Sequence, residues 1–224
     1  MHQYVNMITS EFEKFSNSEN AVQMEKYMRN KFKYYGLKTL IRKEIISHFI
    51  KQNGLPQISE LEIVVTDLWN AEYRELQYFA LVILDKIIKK ADIGFISFIE
   101  FLILNKSWWD SIDFIAPNLV RTHFERYPEL IPEYTNSWIN SENIWLQRSA
   151  ILFQLNKKKD TDIELMFKLI LTRKNSREFF VQKAMGWILR QYAKTNSEIV
   201  INFVKINPEL PELTKREALK HFQV

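Results

Sequence analysis

The chain has 224 residues, 46% of them hydrophobic, with four glycines, six prolines and no cysteine. That is enough apolar side chain for one sizeable core and too little glycine for the tight turns of an all-β fold or a glycine-rich phosphate loop. It also excludes disulfides, thiolate metal sites and cysteine nucleophiles. The formal net charge of +4 is uneven: residues 141–224 hold 15 Lys/Arg against 9 Asp/Glu, and residues 1–140 hold 16 against 18. Basic residues gathered in one region can follow a phosphate backbone, although a solvated surface produces the same imbalance.

The opening stretch MHQYVNMITSEFEKF lacks the charged-then-apolar pattern of a signal peptide, and no apolar run reaches the length of a membrane span, so a soluble, cytoplasmic protein is expected. From there apolar residues recur at spacings of three and four along nearly the whole length. Joints such as Asn53-Gly54-Leu55-Pro56, Tyr127-Pro128 and Asn207-Pro208 divide the pattern into roughly ten to twelve helices. Ser59, Ser141 and Ser197, each followed by glutamate, are the expected N-caps. Lys157-Lys158-Lys159 and Asp160-Thr161-Asp162 read as one helix end and the next helix start.

Similar helices superimpose at Leu76-Gln77, Leu146-Gln147 and Val181-Gln182, whose glutamines are 70 and 35 residues apart; the same step predicts an equivalent at Ile112. A two-helix repeat of this length cannot bury its apolar face alone. The predicted fold is therefore all-α: a single domain over residues 1–224, built as a solenoid of stacked helix pairs with one helix of each pair on a concave side. Residues at one phase then form a row, and stepping by 35 from Tyr78 gives Asp113, Arg148 and Lys183, three of the four charged.

In KSWWDSID, residues 106–113, Trp108, Ile112, Ile115 and Leu119 share an apolar helix face. Trp109 falls at its edge and Asp113 lies one turn later, so an indole and a carboxylate share one exposed stripe; a rim tryptophan and a solvated acid would read the same way. Arg148 lies between Ile144 and Leu152 on an otherwise apolar stripe, where a guanidinium must snorkel outward or meet an acceptor. Further on, Phe179, Ala184, Met185, Ile188, Leu189 and Tyr192 define an apolar face from which Trp187 points away, among Lys183, Arg190, Gln191 and Lys194. An indole among basic groups suits phosphates, sugars or a cationic reaction centre, or packing under lysine stems. His2, His48, His123 and His221 form no i,i+3 or i,i+4 pair and read as surface or core-edge residues, so no metal is assigned. Asp110 and Asp113 could make an acid and base pair, but that would leave both tryptophans without a role.

These residues resemble the bacterial DNA alkylation repair enzymes of the AlkD-like group, alkylpurine glycosylases made of HEAT-like repeats. The segments that carry the resemblance are Tyr27–Phe32 (YMRNKF), Lys106–Asp113, Asn143–Leu155 (NIWLQRSAILFQL), Glu178–Thr195 (EFFVQKAMGWILRQYAKT) and Lys215–His221 (KREALKH), almost from end to end. The resemblance implies that Asp113 is the catalytic carboxylate and that Trp109 and Trp187 are aromatic walls around the lesion's sugar. It implies that Arg148 contacts phosphate or backbone. Tyr27, Lys38, Lys183 and Arg190 are the other residues expected to hold duplex DNA. After Gly36-Leu37, where the family typically has glutamine, threonine, proline and glutamate, this chain has Lys38-Thr39-Leu40-Ile41. The expected function is hydrolysis of the glycosidic bond of cationic N3- and N7-alkylated purines in duplex DNA by a monomer, without cofactor, strand cleavage or a deep base pocket. The rival expectation is a HEAT-like scaffold that binds DNA or protein without catalysis.

Overall fold

A computed structural model describes residues 1–222. Among them the fold is all-α, as the glycine shortage and the apolar spacing predict, with no strand and one isolated bridge between Lys33 and Tyr73. Backbone contacts divide the chain into two compact units, residues 1–87 and the residues from Ile88 onward.

The first unit holds α1 (Gln3–Lys14), α2 (Ser18–Tyr27), α3 (Thr39–Asn53), α4 (Leu61–Asn70) and α5 (Arg74–Ile87). On α1 the three-and-four spacing puts Val5, Ile8 and Phe12 on one face, all fully buried. Tyr4, Phe49 and Phe79 meet at ring-centroid distances of 5.1–6.0 Å and join α1, α3 and α5. Each such side chain contributes about 1.5–3 kcal/mol on burial.

The second unit holds α6 (Ile96–Leu104), α7 (Trp109–Phe114), α8 (Arg121–Arg126), α9 (Ile131–Asn140), α10 (Ile144–Leu152), α11 (Ile163–Thr172), α12 (Phe179–Ala193), α13 (Ser197–Ile206) and α14 (Glu212–Ala218). Between α7 and α8 the helix continues through a π-helical stretch, Ile115–Val120. The expected apolar face is core, with Ile112, Ile115 and Leu119 fully buried and Trp108 nearly so. At the centre lies α10, every residue of which from Trp145 to Leu152 is buried, and which packs against α6, α7, α9, α11 and α12.

The 35-residue step has a physical signature. Gln77, Gln147 and Gln182 donate through Nε2 to the carbonyls of Ala71, Ser141 and Ser176, at 2.9, 2.6 and 2.8 Å, each acceptor six residues upstream. Each amide thereby staples its helix to the joint in front of it; Ala71 and Ser141 are the C-caps of α4 and α9, whose carbonyls lack an intrahelical donor. At Ile112, which has no amide to offer, Ser107 Oγ donates to the Ile103 carbonyl at 2.5 Å and Ser111 Oγ to that of Trp108 at 3.1 Å.

Several local expectations are corrected. Ser59 lies inside a 3-10 turn, Ile58–Glu60, and caps nothing. Asn143, not Ser141, caps α10 by accepting from the N–H groups of Trp145 and Leu146, while Ser141 Oγ accepts from Asn143. Asn196, not Ser197, caps α13. In both places an asparagine within two residues of the serine occupies the N-cap position, and its side-chain oxygen reaches the first-turn amides. The described residues form fourteen α-helical segments, more than expected, because joints such as Phe15-Ser16-Asn17 turn without proline or glycine. His123 is fully buried, its Nε2 at 3.1 Å from the Ile93 carbonyl. Phe179 is 54% exposed, since its neighbour Phe180, 100° further round the helix, takes the inner place against Trp108 and Trp145.

Gly186 lets α12 and α14 touch: a Cβ there would lie 2.5 Å from Glu217 Cβ and 2.8 Å from the Thr214 carbonyl oxygen. In an open helix Gly→Ala stabilises by about 1 kcal/mol. Here overpacking costs more, so Gly186→Ala lowers stability by about 1–2 kcal/mol and Tm by about 2–6 °C, read by thermal unfolding. An unchanged or raised Tm would show that α14 yields freely.

Candidate active site

Asp113 sits near the end of α7, a helix that starts abruptly. Lys106 adopts a left-handed φ of 51°, Trp108 is extended, and the Trp108 carbonyl accepts from the N–H of Ile112. One residue beyond Asp113, after Phe114, the helix widens into the π stretch. Its cause is Pro117, which has no N–H to give to the Asp113 carbonyl four residues earlier. Asn118 Nδ2 compensates by donating to the Phe114 carbonyl at 2.8 Å.

Facing this turn is Arg148, one repeat further on. It does not snorkel: on the buried helix α10 it is 4% exposed, and it has met an acceptor. Its Nε and Nη2 both lie 2.8 Å from Asp113 Oδ1, and its Nη1 donates to the Phe180 carbonyl at 2.5 Å. Both charged contacts converge on one carboxylate oxygen, so among the described residues Oδ2 accepts no hydrogen bond, and the Asp113 side chain remains 22% exposed. Burial pushes the Asp113 carboxyl above the ordinary aspartate range, and the Arg148 guanidinium, by charge and hydrogen bond, pulls it back; the Asp110 charge adds to the upward push.

The arginine also reaches the second indole. Its guanidinium carbon is 5.9 Å from the centroid of the Trp187 ring, at the outer limit of a cation–π contact. Trp187 and Trp109 are both partly exposed, and Trp109 precedes Asp113 by one turn of α7. Asp113, Arg148 and Trp187 are therefore gathered by direct contact and Trp109 by its helix. Beneath them Trp108, Trp145 and Phe180 form a triangle with centroid distances of 5.6, 5.2 and 5.0 Å, fixing α7, α10 and α12 to one another at their N-terminal ends.

Lys183 and Arg190, both on α12, are engaged by one residue outside the set expected from the sequence. Glu217 takes Lys183 Nζ on Oε1 at 2.8 Å and Arg190 Nη1 on Oε2 at 2.5 Å, which holds its carboxyl down at about 2. The signal was available: Glu217 lies 35 residues after Gln182, in the glutamine phase of the repeat. In the first unit Tyr27 ends α2 and is 72% exposed, and Lys38 is exposed at the N-cap of α3.

The profile of a family described as DNA alkylation repair enzyme matches residues 8–222. A solved structure described as that of a predicted DNA alkylation repair enzyme from Enterococcus faecalis is similar to this one at a TM-score of 0.84 and 28% identity, covering 92% of this chain and 96% of that one. Among curated proteins, none matches the chain.

Removing the guanidinium tests the pair without any reaction. Arg148→Met takes away the one influence that lowers the Asp113 pKa, so the carboxyl titrates further above the ordinary range, as carbonyl-carbon NMR of the aspartates would show. The orphaned, largely desolvated carboxylate costs about 3 kcal/mol near neutrality. Because the folded form then holds its proton more tightly than the unfolded chain, that deficit shrinks as pH falls through the raised pKa. An Asp113 titration unmoved by the substitution would mean that the pair does not form in solution.

Proposed function

Because this chain belongs to the DNA alkylation repair enzyme family, which matches it over residues 8–222, we propose that it is a monofunctional glycosylase removing cationic N3- and N7-alkylated purines from duplex DNA. The observation that carries this reading is the Asp113 carboxylate, anchored through Oδ1 by a buried arginine, with Oδ2 accepting no hydrogen bond among the described residues and two partly exposed indoles close by.

An alkylated purine already bears a positive charge, so its glycosidic bond breaks with the electron pair leaving on the base, which departs neutral. No general acid is needed. The sugar becomes oxocarbenium-like, and a carboxylate about 4 Å away at an effective dielectric of about 20 stabilises that charge by about 4 kcal/mol, roughly a thousandfold in rate. The carboxylate also orients a water whose oxygen attacks C1′ and whose proton passes to Asp113 or to solvent, leaving an abasic site. Trp109 and Trp187 add indole faces for the cationic sugar and base, on the order of 0.5–2 kcal/mol each where water is excluded. In this reading Arg148 has a second duty beside any phosphate contact, since it fixes the orientation of the catalytic carboxylate. Tyr27, Lys38, Lys183 and Arg190 address the duplex backbone. The whole chain acts as one DNA-binding domain and as a monomer, in the cytoplasm where the genome of a bacterium lies. A carboxylate rather than an amine at the centre leaves the sugar without a Schiff base, so the strand stays uncut.

The experiment is release of free 7-methylguanine from methylated duplex DNA by the purified protein. Wild-type protein should release it, and Asp113→Asn should lose on the order of a hundredfold to a thousandfold in single-turnover rate while binding the duplex as before. No release by wild-type protein, with duplex affinity intact, would favour the non-catalytic scaffold, and near-normal release by Asp113→Asn would remove the mechanism.

A further inference from the structure

In the first unit, the segment that leads into α3 is held by carboxylates in an unusual density. The backbone N–H of Tyr34 donates to Glu25 Oε1 at 3.2 Å. The next three amides all go to Glu75: Tyr35 N to Oε2 at 3.1 Å, Gly36 N to Oε1 at 3.0 Å and Leu37 N to Oε1 at 3.1 Å. Successive N–H groups arranged in this way form the kind of concavity that elsewhere binds a phosphate, and here it is filled from within by an acid on α5 that is completely buried.

The same segment is pinned from the other side by α2. The Tyr35 carbonyl accepts from the N–H of Asn17 at 2.8 Å, the residue that caps α2. Gly36 has a φ of +84°, and a Cβ there would lie 2.0 Å from the Asn17 carbonyl oxygen and 2.8 Å from the Ala21 nitrogen, so only glycine fits. The ring of Tyr35 stacks on Tyr73, just ahead of α5, at 4.0 Å between centroids with 14° between planes. Residues 34–37 thus join the start of α2 to the start of α5, and the residue they deliver next is Lys38, whose carbonyl accepts from the N–H of Arg42 in the first bond of α3.

We propose that Glu75 is a positioning residue for duplex binding: by fastening residues 35–37 between α2 and α5 it fixes Lys38, and through α2 Tyr27, in place before DNA arrives. This rests on the reading in which Tyr27 and Lys38 face the duplex. The hydrogen bonds of Glu75 go to Tyr35, Gly36 and Leu37, and Tyr27 and Lys38 belong to the first unit, whereas the residues proposed for the chemistry belong to the second. Glu75 acts on affinity because the ordering of a loop and a helix end is completed on folding and need not be repeated on binding.

The test uses the full chain and two short fluorescent duplexes, one carrying a single 7-methylguanine and one unmodified. Glu75→Gln keeps the shape but turns an amide N–H₂ towards the backbone donors; it should weaken Kd for both duplexes by on the order of tenfold, with a much smaller fall in the single-turnover rate at saturating enzyme. Added to Tyr27→Ala/Lys38→Ala it should weaken binding no further, whereas a residue that merely supports the fold would add its own independent loss. Glu75→Asp, which keeps the charge and shortens the reach, should fall between wild type and Glu75→Gln, and it replaces Glu75→Gln if that variant does not fold. Unchanged affinity in a folded variant, additive losses, or unfolding of both variants would overturn the proposal. Because Kd is read on unmodified duplex as well, failure of the positioning role is distinct from failure of the glycosylase reading, which would appear as no base release from the wild-type protein.

Discussion

An arginine carried on a buried helix is almost shut off from water, and this constraint organises the second unit. Arg148 must be met by acceptors inside the protein, and it is met by Asp113 Oδ1 and the Phe180 carbonyl. Such a pair gives up hydration on both partners, and it stands only where geometry is fixed well enough for attraction and hydrogen bonds to offset that cost. The aromatic triangle of Trp108, Trp145 and Phe180 supplies that fixity, because it locks the three helices that bear Asp113, Arg148 and Trp187. Pro117 and its π stretch then set the helix just beyond the carboxylate. The outcome is an acid that is held firmly at one oxygen while the other accepts no hydrogen bond among the described residues.

The same economy recurs with the other charged groups. Glu217 gathers Lys183 and Arg190, so two cations that a basic surface would otherwise scatter are kept at fixed places on α12. Glu75 does with backbone amides what Glu217 does with side chains. Glu217 thus fixes two cations of the second unit, and Glu75 fixes the backbone that leads into Lys38 in the first. Rigid, already ordered contacts favour recognition of a stiff polyanion such as duplex DNA, whose binding then loses little to conformational entropy.

Much of this was legible in the sequence because the repeat is exact in number. The 35-residue step located Gln77, Gln147 and Gln182, whose shared hydrogen bond explains why the step exists, and it placed Asp113 and Arg148 at the same phase in adjacent repeats. The oddness of Arg148 on an apolar stripe was also visible, but not which acceptor resolved it, since that depends on how closely two helices approach. Glu217 is within reach of the same counting, 35 residues after Gln182, but its hold on two cations is visible only once the packing of α12 and α14 is known. Glu75 was not legible at all: its partners are backbone amides, which have no identity in a sequence, and a buried glutamate looks like any surface acid until its neighbours are known. The caps of α10 and α13 are ambiguous in sequence for a local reason, since an asparagine and a serine lie within two residues of each other and only geometry selects between them.

The single-turnover rate of 7-methylguanine release measured against pH, with the spontaneous rate subtracted, tests most directly whether an ionised Asp113 drives the reaction. Burial raises its pKa and the anion is the working form, so the rate should fall on acidification by about tenfold per pH unit, with a midpoint above the ordinary aspartate value of about 3.9 and a plateau towards neutrality. A rate that stays level through that range, or one that climbs as the carboxyl takes up its proton, would contradict a carboxylate at the centre of the site.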